Sequence, residues 1–290
     1  MNEGNFQWGN ASLGQFDPEE GIYQDGLFRQ ANAQPLGDVI QEAHKIGDRY
    51  YLVMNGSNEL VICNADWTEL KSSPGLGAPK NLWFWQGSLW MSDLYKPKLQ
   101  ELDLDGNLIA HKNLNGIPNS LCSWRNQLLL VYPSQVESIV APNAVPQELI
   151  RFNDNVRAVL NYQENLFIAL DNGVLYSWSH PDSSLSFVDS VKILDGALCS
   201  AGGQNGFFSY DGDSLYHHQK TNHFKAKGIV RLNCENFYGL DFHAESKSLY
   251  LFDARAFVAP HKVWRINPFN AQVLNEFEAS ALPNGLLRKW

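Results

Sequence analysis

A repeat of about 40 residues restricts the folds open to this chain of 290 residues more than any other feature. Each unit opens with a turn rich in Gly, Pro or Asn and continues with short apolar strands separated by polar turns. The units lie 39 to 41 residues apart and begin near Leu36, Gly77, Gly116, Asn155, Gly196 and Asn236. This is the length of one four-stranded blade of a β-propeller. The repeat therefore predicts an all-β fold of the propeller class.

The second strand of each unit is a nearly continuous apolar run, as in residues 50–54, 88–92, 128–132, 166–170, 206–210 and 249–253. Runs of this length are typical of strands that are buried on both faces. The next strand alternates, as in residues 99–104, so we expect it nearer the solvated rim. No helix of useful length is predicted.

The two ends of the chain supply a further unit in this interpretation. Residues 282–287 repeat the blade opening, and residues 11–16 and 22–25 form an outer hairpin around a turn at 17–21. We therefore predict a seven-bladed β-propeller, a single domain over residues 1–290, whose last blade is closed by N-terminal strands plus a C-terminal strand. Closure of this kind removes exposed sheet edges.

Charge and composition exclude several classes of partner. The formal net charge is -9, and the sequence contains no run of Lys or Arg, so a nucleic acid or an anionic membrane is not expected as a partner. No stretch reaches the length of a membrane span. Four cysteines without a C-x-x-C pair indicate neither a zinc site nor a dense disulfide framework.

Propellers concentrate function in the loops on one face, namely those that open each blade and those that join the second and third strands. The aromatic N-terminal segment adds Phe6 and Trp8, which either reach over the channel mouth or pack against the last blade. Amides, aromatics and scattered charges suit a ligand held by stacking and hydrogen bonds, although each side chain alone also suits the capping of a strand or turn. The candidate ligand-binding residues are Phe6, Trp8, Asp38, Asn55, Asn58, Lys80, Asp93, Tyr95, Asn119, Tyr132, Arg157, Asp171, Asp211, Phe237, Arg255 and Asn284.

Signals for an enzyme are weak. The eight histidines form no H-E-x-x-H motif, and the adjacent His217 and His218 point to opposite faces of a predicted strand, where we expect them at the surface. The glycine-rich residues 202–206 join two strands and do not open a helix, so they indicate a hairpin turn. No nucleophile elbow is present. The sequence predicts no catalytic residue, no metal and no cofactor.

Three segments resemble a known family, the YncE-like, YVTN-type propeller lipoproteins of Gram-negative outer membranes. They are residues 2–6 with 10–13, residues 34–39, and residues 75–79. The resemblance implies an exported seven-bladed propeller in the periplasm or at the cell surface, with a lipidated cysteine upstream of Met1. It also implies a role like that of members that bind cobalamin beside an outer-membrane transporter.

The leading hypothesis is a non-enzymatic, exported and monomeric propeller that binds a small organic ligand, such as a corrinoid, or a transporter on its loop face. A second hypothesis is a propeller hydrolase or lactonase with a metal at the central channel. A third is a scaffold for protein–protein interaction without a small ligand.

Overall fold

A computed structural model describes residues 1–162, 164–179, 185–190, 198–200, 206–211, 213–220, 224–258 and 260–289. Its regular structure is almost entirely β, with one short helix, α1 (Leu27–Asn32). The strands up to residue 113 are β1 (Gln15–Asp17), β2 (Ile22–Gln24), β3 (Ile40–Ile46), β4 (Arg49–Met54), β5 (Glu59–Cys63), β6 (Glu69–Pro74), β7 (Pro79–Trp85), β8 (Ser88–Asp93), β9 (Lys98–Leu102) and β10 (Leu108–Asn113).

The later strands follow the same rhythm. They are β11 (Ser120–Trp124), β12 (Gln127–Val131), β13 (Gln135–Ile139), β14 (Gln147–Arg151), β15 (Val156–Tyr162), β16 (Asn165–Leu170), β17 (Val174–Trp178), β18 (Ser186–Ser190), β19 (Leu198–Ser200), β20 (Phe207–Asp211), β21 (Ser214–Lys220), β22 (Phe224–Arg231), β23 (Phe237–His243), β24 (Ser248–Asp253), β25 (His261–Asn267), β26 (Gln272–Ala279) and β27 (Arg288–Lys289).

Six sheets correspond to the six repeat units. Each contains four consecutive strands, β3–β6, β7–β10, β11–β14, β15–β18, β19–β22 and β23–β26, with neighbours in sequence paired in space. The hairpin β1–β2 forms a separate two-stranded sheet. The prediction of an all-β, blade-repeat architecture is confirmed.

The described residues fall into two compact units. The first comprises Met1–Ile117, Ala254–Val263 and Phe277–Trp290, and the second comprises Pro118–Asp253 and Trp264–Glu276. The division falls within β25 and β26.

The second strands are buried, as predicted. In the first unit, Tyr51 and Val53 of β4 share a core with Leu89 and Met91 of β8. In the second unit, Phe167, Phe207 and Leu249 belong to one core that joins three successive sheets. A strand that is apolar on both faces must be covered on both, so the successive sheets within each unit pack against one another.

The solvated rim lies one strand further out than the sequence indicated. The third strand β9 is largely buried, whereas the fourth strand β10 is exposed along nearly its whole length. The alternation in residues 99–104 includes Leu104, which already belongs to the turn after β9. The alternating pattern therefore indicated a rim strand where the structure has a covered one.

The prediction of a seventh blade is wrong, because the structure has six. The chain ends do meet, through the isolated bridge Asn2↔Pro283 and backbone hydrogen bonds such as that from the N–H of Glu3 to the carbonyl of Leu282, but they do not form a blade. Proline lacks the N–H that a continuing ladder needs, and Leu282 has a positive φ of 55° that interrupts an extended strand. The C-terminal strand β27 pairs in parallel with β3 instead.

His217 and His218 are buried, which corrects the expectation of surface histidines. They do point to opposite faces of β21, since His218 stacks on Phe207 with centroids 4.6 Å apart and His217 lies 4.5 Å from the ring of Phe208. His218 Nε2 lies 2.7 Å from Ser209 Oγ. Both faces of this strand are covered by neighbouring aromatic rings, so neither imidazole reaches solvent.

Among the described residues, the structure has no helix with the length and apolar character that a membrane span requires.

We predict that His218 makes stability depend on pH. Burial, aided by the nearby His217, lowers the pKa of His218 from 6.5 to about 4. Between pH 6.5 and pH 4, His218 binds a proton in the unfolded chain but not in the folded chain. The free energy of unfolding should therefore fall by about 3 kcal/mol as pH decreases from 6.5 to 4. Urea unfolding at a series of pH values measures this. His218→Gln should lower stability at pH 7 but flatten the dependence.

The control is His111→Gln, which removes an exposed histidine of β10 and should leave the slope as in the wild type. An unchanged slope in His218→Gln would show that other groups cause the acid sensitivity.

Candidate functional site

The N-terminal segment runs beside the C-terminal segment and is held by backbone hydrogen bonds. The N–H of Glu3 donates to the carbonyl of Leu282 at 2.8 Å, and the N–H of Ile40 donates to the carbonyl of Glu3 at 3.0 Å. Gly4 has a φ of 84°, and a Cβ there would lie 2.6 Å from the backbone nitrogen of Ala11. Only glycine permits this approach, which brings residues 2–4 against residues 11–12.

A partly buried polar network surrounds the buried side chain of Asn2. Its Nδ2 lies 2.9 Å from Ser12 Oγ, 2.8 Å from Tyr23 Oη and 3.0 Å from Asp25 Oδ1. Ser12 Oγ donates to Asp25 Oδ1 at 2.9 Å, and the N–H of Gly26 donates to the same oxygen at 2.7 Å. Burial raises the pKa of Tyr23, so its phenol stays protonated at neutral pH. The network holds the hairpin and the start of α1 on the N-terminal segment.

Beside this network, residues of the first unit line a half-open cavity of about 600 Å³, a volume within the range of small-molecule sites. Four short stretches of the first unit line it: residues 8–13; residues 25, 26, 28 and 29; residues 35 and 36; and residues 280 and 281. We call this cavity the N-terminal pocket. Its lining includes residues 10–13, 35 and 36, all of which belong to the segments that carry the family resemblance.

The floor of the N-terminal pocket is apolar, whereas its rim is aromatic and charged. Leu13, Phe28 and Leu36 are buried in one core cluster beneath it. Trp8 is 76% exposed, and Arg29 is exposed on α1. An exposed tryptophan beside an apolar cavity offers a face on which a planar ligand can stack.

The position of Trp8 is set by a tight turn. Its N–H donates to the carbonyl of Asn5 at 3.0 Å, and the N–H of Gln7, at a positive φ of 68°, donates to Asp38 Oδ2 at 2.7 Å. The side chains of Asn5 and Asn10 pair across the base of this turn at 3.1 Å. Asp38 thus serves to anchor the segment that carries Phe6 and Trp8.

Other predicted loop residues of the first unit are exposed or partly so. Phe6 is 64% and Tyr95 is 70% exposed. Arg255, at a positive φ of 45°, donates from Nη1 to the carbonyl of Pro260 at 3.0 Å and so closes its own loop. Asn284 lies beside the N-terminal segment, where its N–H donates to the carbonyl of Met1 at 3.2 Å.

Three predicted residues lie where the sheets β3–β6 and β7–β10 meet: Asn55, Asn58 and Lys80. Asn55 Nδ2 is buried and donates to the carbonyl of Pro79 at 2.8 Å. Asn58 adopts a positive φ of 60° in the turn between β4 and β5. Burial lowers the pKa of Lys80, and the negative charge of Glu42 opposes that shift.

Asp93 ends β8 and organises the loop around it. Its Oδ1 accepts the N–H groups of Tyr95 and Lys96, each at 2.9 Å, and its Oδ2 accepts that of Ala78 at 3.3 Å. Gly77 approaches so closely that a Cβ would lie 2.3 Å from Asp93 Oδ2. The carboxylate therefore ties the opening of the sheet to the end of its second strand.

The predicted residues of the second unit are largely engaged in their own sheets. Arg157 Nε lies 3.0 Å from Asp171 Oδ1 in an ion pair. Tyr132 is buried, and that burial, with the nearby charge of Glu137, raises the pKa of Tyr132. Asn119 is exposed at the start of a blade, and its N–H donates to a strand carbonyl at 2.7 Å.

Two further predicted residues end or begin strands of the second unit. Phe237 begins β23 and stacks on Tyr210 with ring centroids 4.9 Å apart. Asp211 ends β20, and its side chain lies outside the described part of the chain. A ligand role for the sixteen predicted residues stays a prediction, and of these only Trp8 lines the N-terminal pocket.

Sequence reasoning missed Ser12, Asp25 and Arg29 as members of a site. Residues 11–16 and 22–25 were assigned to an outer hairpin, and no helix was predicted after them. The available signal was the run of helix formers Leu27–Asn32 directly after Asp25 and Gly26. The network of Asn2 joins residues that are up to 23 positions apart, and no local pattern reports such pairing.

No group of three or more His, Cys, Asp or Glu side chains in the described part of the chain is arranged to hold a metal ion.

No protein-family model and no curated protein matches this chain. Among solved structures it is similar to a quinonprotein alcohol dehydrogenase-like protein from Bacteroides thetaiotaomicron, with a TM-score of 0.75, 14% identity, and coverage of 94% of this chain and 75% of that chain. It is also similar to virginiamycin B lyase from Staphylococcus aureus, with a TM-score of 0.64, 11% identity, and coverage of 83% and 84%.

A third similar structure is BamB from Moraxella catarrhalis, with a TM-score of 0.57, 11% identity, and coverage of 88% of this chain and 78% of that chain. At these identities the likeness shows the fold alone, which is a β-propeller. The resemblance to YncE-like lipoproteins stays a prediction.

We predict that Asp93 acts in stability. Asp93→Ala removes a buried acceptor from three backbone N–H groups, so the free energy of unfolding should fall by about 3 kcal/mol. Urea unfolding at pH 7 measures the change. The matched control is Asp48→Ala in the exposed turn between β3 and β4, which should change stability by less than about 0.5 kcal/mol. Equal effects of the two substitutions would contradict the role assigned to Asp93.

Proposed function

We propose that this chain is a non-enzymatic binding propeller that holds a small organic ligand in the N-terminal pocket. The observation that carries the proposal is the pocket itself: about 600 Å³, with a buried apolar floor, a polar wall at Ser12 and Asp25, and the exposed ring of Trp8 at its rim. Apolar area supplies affinity in such sites, and a few placed polar groups supply orientation.

The wall of the pocket supports a binding role because its geometry is fixed before a ligand arrives. Asn2, Ser12, Tyr23 and Asp25 hold one another in a single, partly buried network. A preorganised site loses little conformational entropy on binding, which favours affinity.

The family resemblance extends the proposal to an exported protein at the cell surface or in the periplasm, and to a corrinoid as its ligand or a transporter as its partner. Three segments support this extension, and two of them contribute residues to the pocket lining. A corrinoid is larger than the drug-sized ligands that cavities of this volume bury. We therefore give priority to a smaller planar ligand.

Titration with three aromatic probes of one shape tests the proposal: 2-naphthoate, 2-naphthalenemethanol and 2-naphthylmethylamine. We expect saturable, one-to-one binding of at least one probe by calorimetry, with the probe recovered unchanged. Ala281→Phe places a ring in the pocket and should weaken that binding at least tenfold. Ala110→Phe adds the same ring to the exposed strand β10 and should leave it unchanged.

Absence of saturable binding for all three probes, or equal binding by Ala281→Phe and the wild type, would refute the pocket as a ligand site. Equilibrium dialysis against cobinamide and cobalamin tests the corrinoid extension separately. Retention that Ala281→Phe does not affect would place a corrinoid outside this pocket. Stoichiometric metal in the purified protein, found together with hydrolysis of a lactone, would favour the hydrolase hypothesis instead.

A further inference from the structure

The charges that line the N-terminal pocket differ in how far their hydrogen-bonding capacity is used. Asp25 and Arg29 are the two charged residues in its lining. The Asp25 carboxylate accepts hydrogen bonds from Asn2, Ser12 and the backbone of Gly26 at 2.7 to 3.0 Å on Oδ1. The hydrogen-bonding capacity of this oxygen is therefore already used by donors of the protein.

The hydrogen-bonding capacity of the Arg29 side chain, by contrast, is unused within the described part of the chain. Arg29 stands in the middle of α1, and its side chain makes no ion pair or hydrogen bond with any described residue. The backbone carbonyl of Arg29 is used, since it accepts the N–H of Ala33 at 2.9 Å, but the five N–H donors of the guanidinium remain available. In a chain of net charge -9, an arginine at a pocket rim without a carboxylate partner is a place where a negative group can dock.

Trp8 supplies the second element of recognition. It is 76% exposed and lines the same cavity as Arg29. The turn at Asn5 and Gln7 positions its backbone, and most of the side chain remains open to solvent. A flat ring stacks well on an indole face, whereas a planar fork of N–H donors matches a carboxylate in a bidentate pair.

From this combination we infer that the N-terminal pocket selects small planar aromatic acids, with the ring on Trp8 and the carboxylate on the Arg29 guanidinium. The inference rests on the proposed function, since it names the ligand class of the same pocket. Asp25 keeps its negative charge, but three donors of the protein occupy its Oδ1, whereas the guanidinium of Arg29 has its donors free for the acid, since no described residue occupies them.

The three naphthalene probes distinguish selectivity for an acid from selectivity for a neutral compound or an amine, because they share one ring system and differ in charge. We expect 2-naphthoate to bind at least tenfold more tightly than 2-naphthalenemethanol, and 2-naphthylmethylamine to bind most weakly. Arg29→Gln should lower the affinity for 2-naphthoate to that for 2-naphthalenemethanol, and the affinity for 2-naphthalenemethanol should not change. Arg29→Lys keeps the positive charge but loses the planar fork of N–H donors. Its affinity for 2-naphthoate should therefore lie between those of the wild type and Arg29→Gln.

The matched control is Arg151→Gln, an exposed arginine of the second unit whose loss changes the net charge by the same amount. It should leave all three affinities unchanged, and thermal unfolding should show that Arg29→Gln is folded. Trp8→Ala should weaken the binding of 2-naphthoate and of 2-naphthalenemethanol to the same extent, since both probes would stack on the indole of Trp8.

Equal affinity for acid and alcohol, or tighter binding of the amine, would overturn the selectivity for acids while leaving the pocket as a ligand site. Failure of every probe to bind would overturn the proposed function and the inference with it. A tenfold loss in Arg151→Gln would show that the preference comes from overall charge and would overturn the role of Arg29.

Discussion

Strands that are apolar on both faces are the constraint from which the rest of this structure follows. A four-stranded sheet with a core such as Tyr51 and Val53 on β4 cannot stand alone in water, because one face would stay exposed. The next sheet covers it, and its own second strand, with Leu89 and Met91, needs covering in turn. Repetition of one unit is thus the physical solution to burying a strand that has no polar side.

The two chain ends are held differently from the repeat sheets. They contribute few apolar strand residues, and glycine and proline interrupt them, so they form single-residue bridges and a short hairpin. Polar side chains take over the role of a ladder: Asn2 alone contacts Ser12, Tyr23 and Asp25. Because these segments are joined by isolated backbone hydrogen bonds and by side chains, and not by a continuous ladder, they leave a cavity between them. The N-terminal pocket is a consequence of this incomplete pairing.

Loop residues at the ends of the second strands show how a predicted site and a structural role compete. Asp93 and Asp253 occupy equivalent positions, and each accepts a backbone N–H from the opening of its own sheet, Asp93 from Ala78 and Asp253 from Asn236. A buried carboxylate that accepts several N–H groups has little capacity left for a ligand. Sequence reasoning identified Asp93 as important, but a charged residue in a repeat loop has the same appearance whether it binds a ligand or holds the loop.

The sequence by itself determined the repeat, the positions of the six sheets and the buried second strands, because each of these depends on patterns within 40 residues. It also pointed to the aromatic segment at Phe6 and Trp8. Only the tertiary structure decided the number of blades, the burial of His218 and the pocket that Ser12, Asp25 and Arg29 share. Those features depend on contacts between distant residues, such as Asn2 with Pro283. Long-range pairing of this kind is decided by the free energy of the whole fold, and no local pattern of residues encodes it.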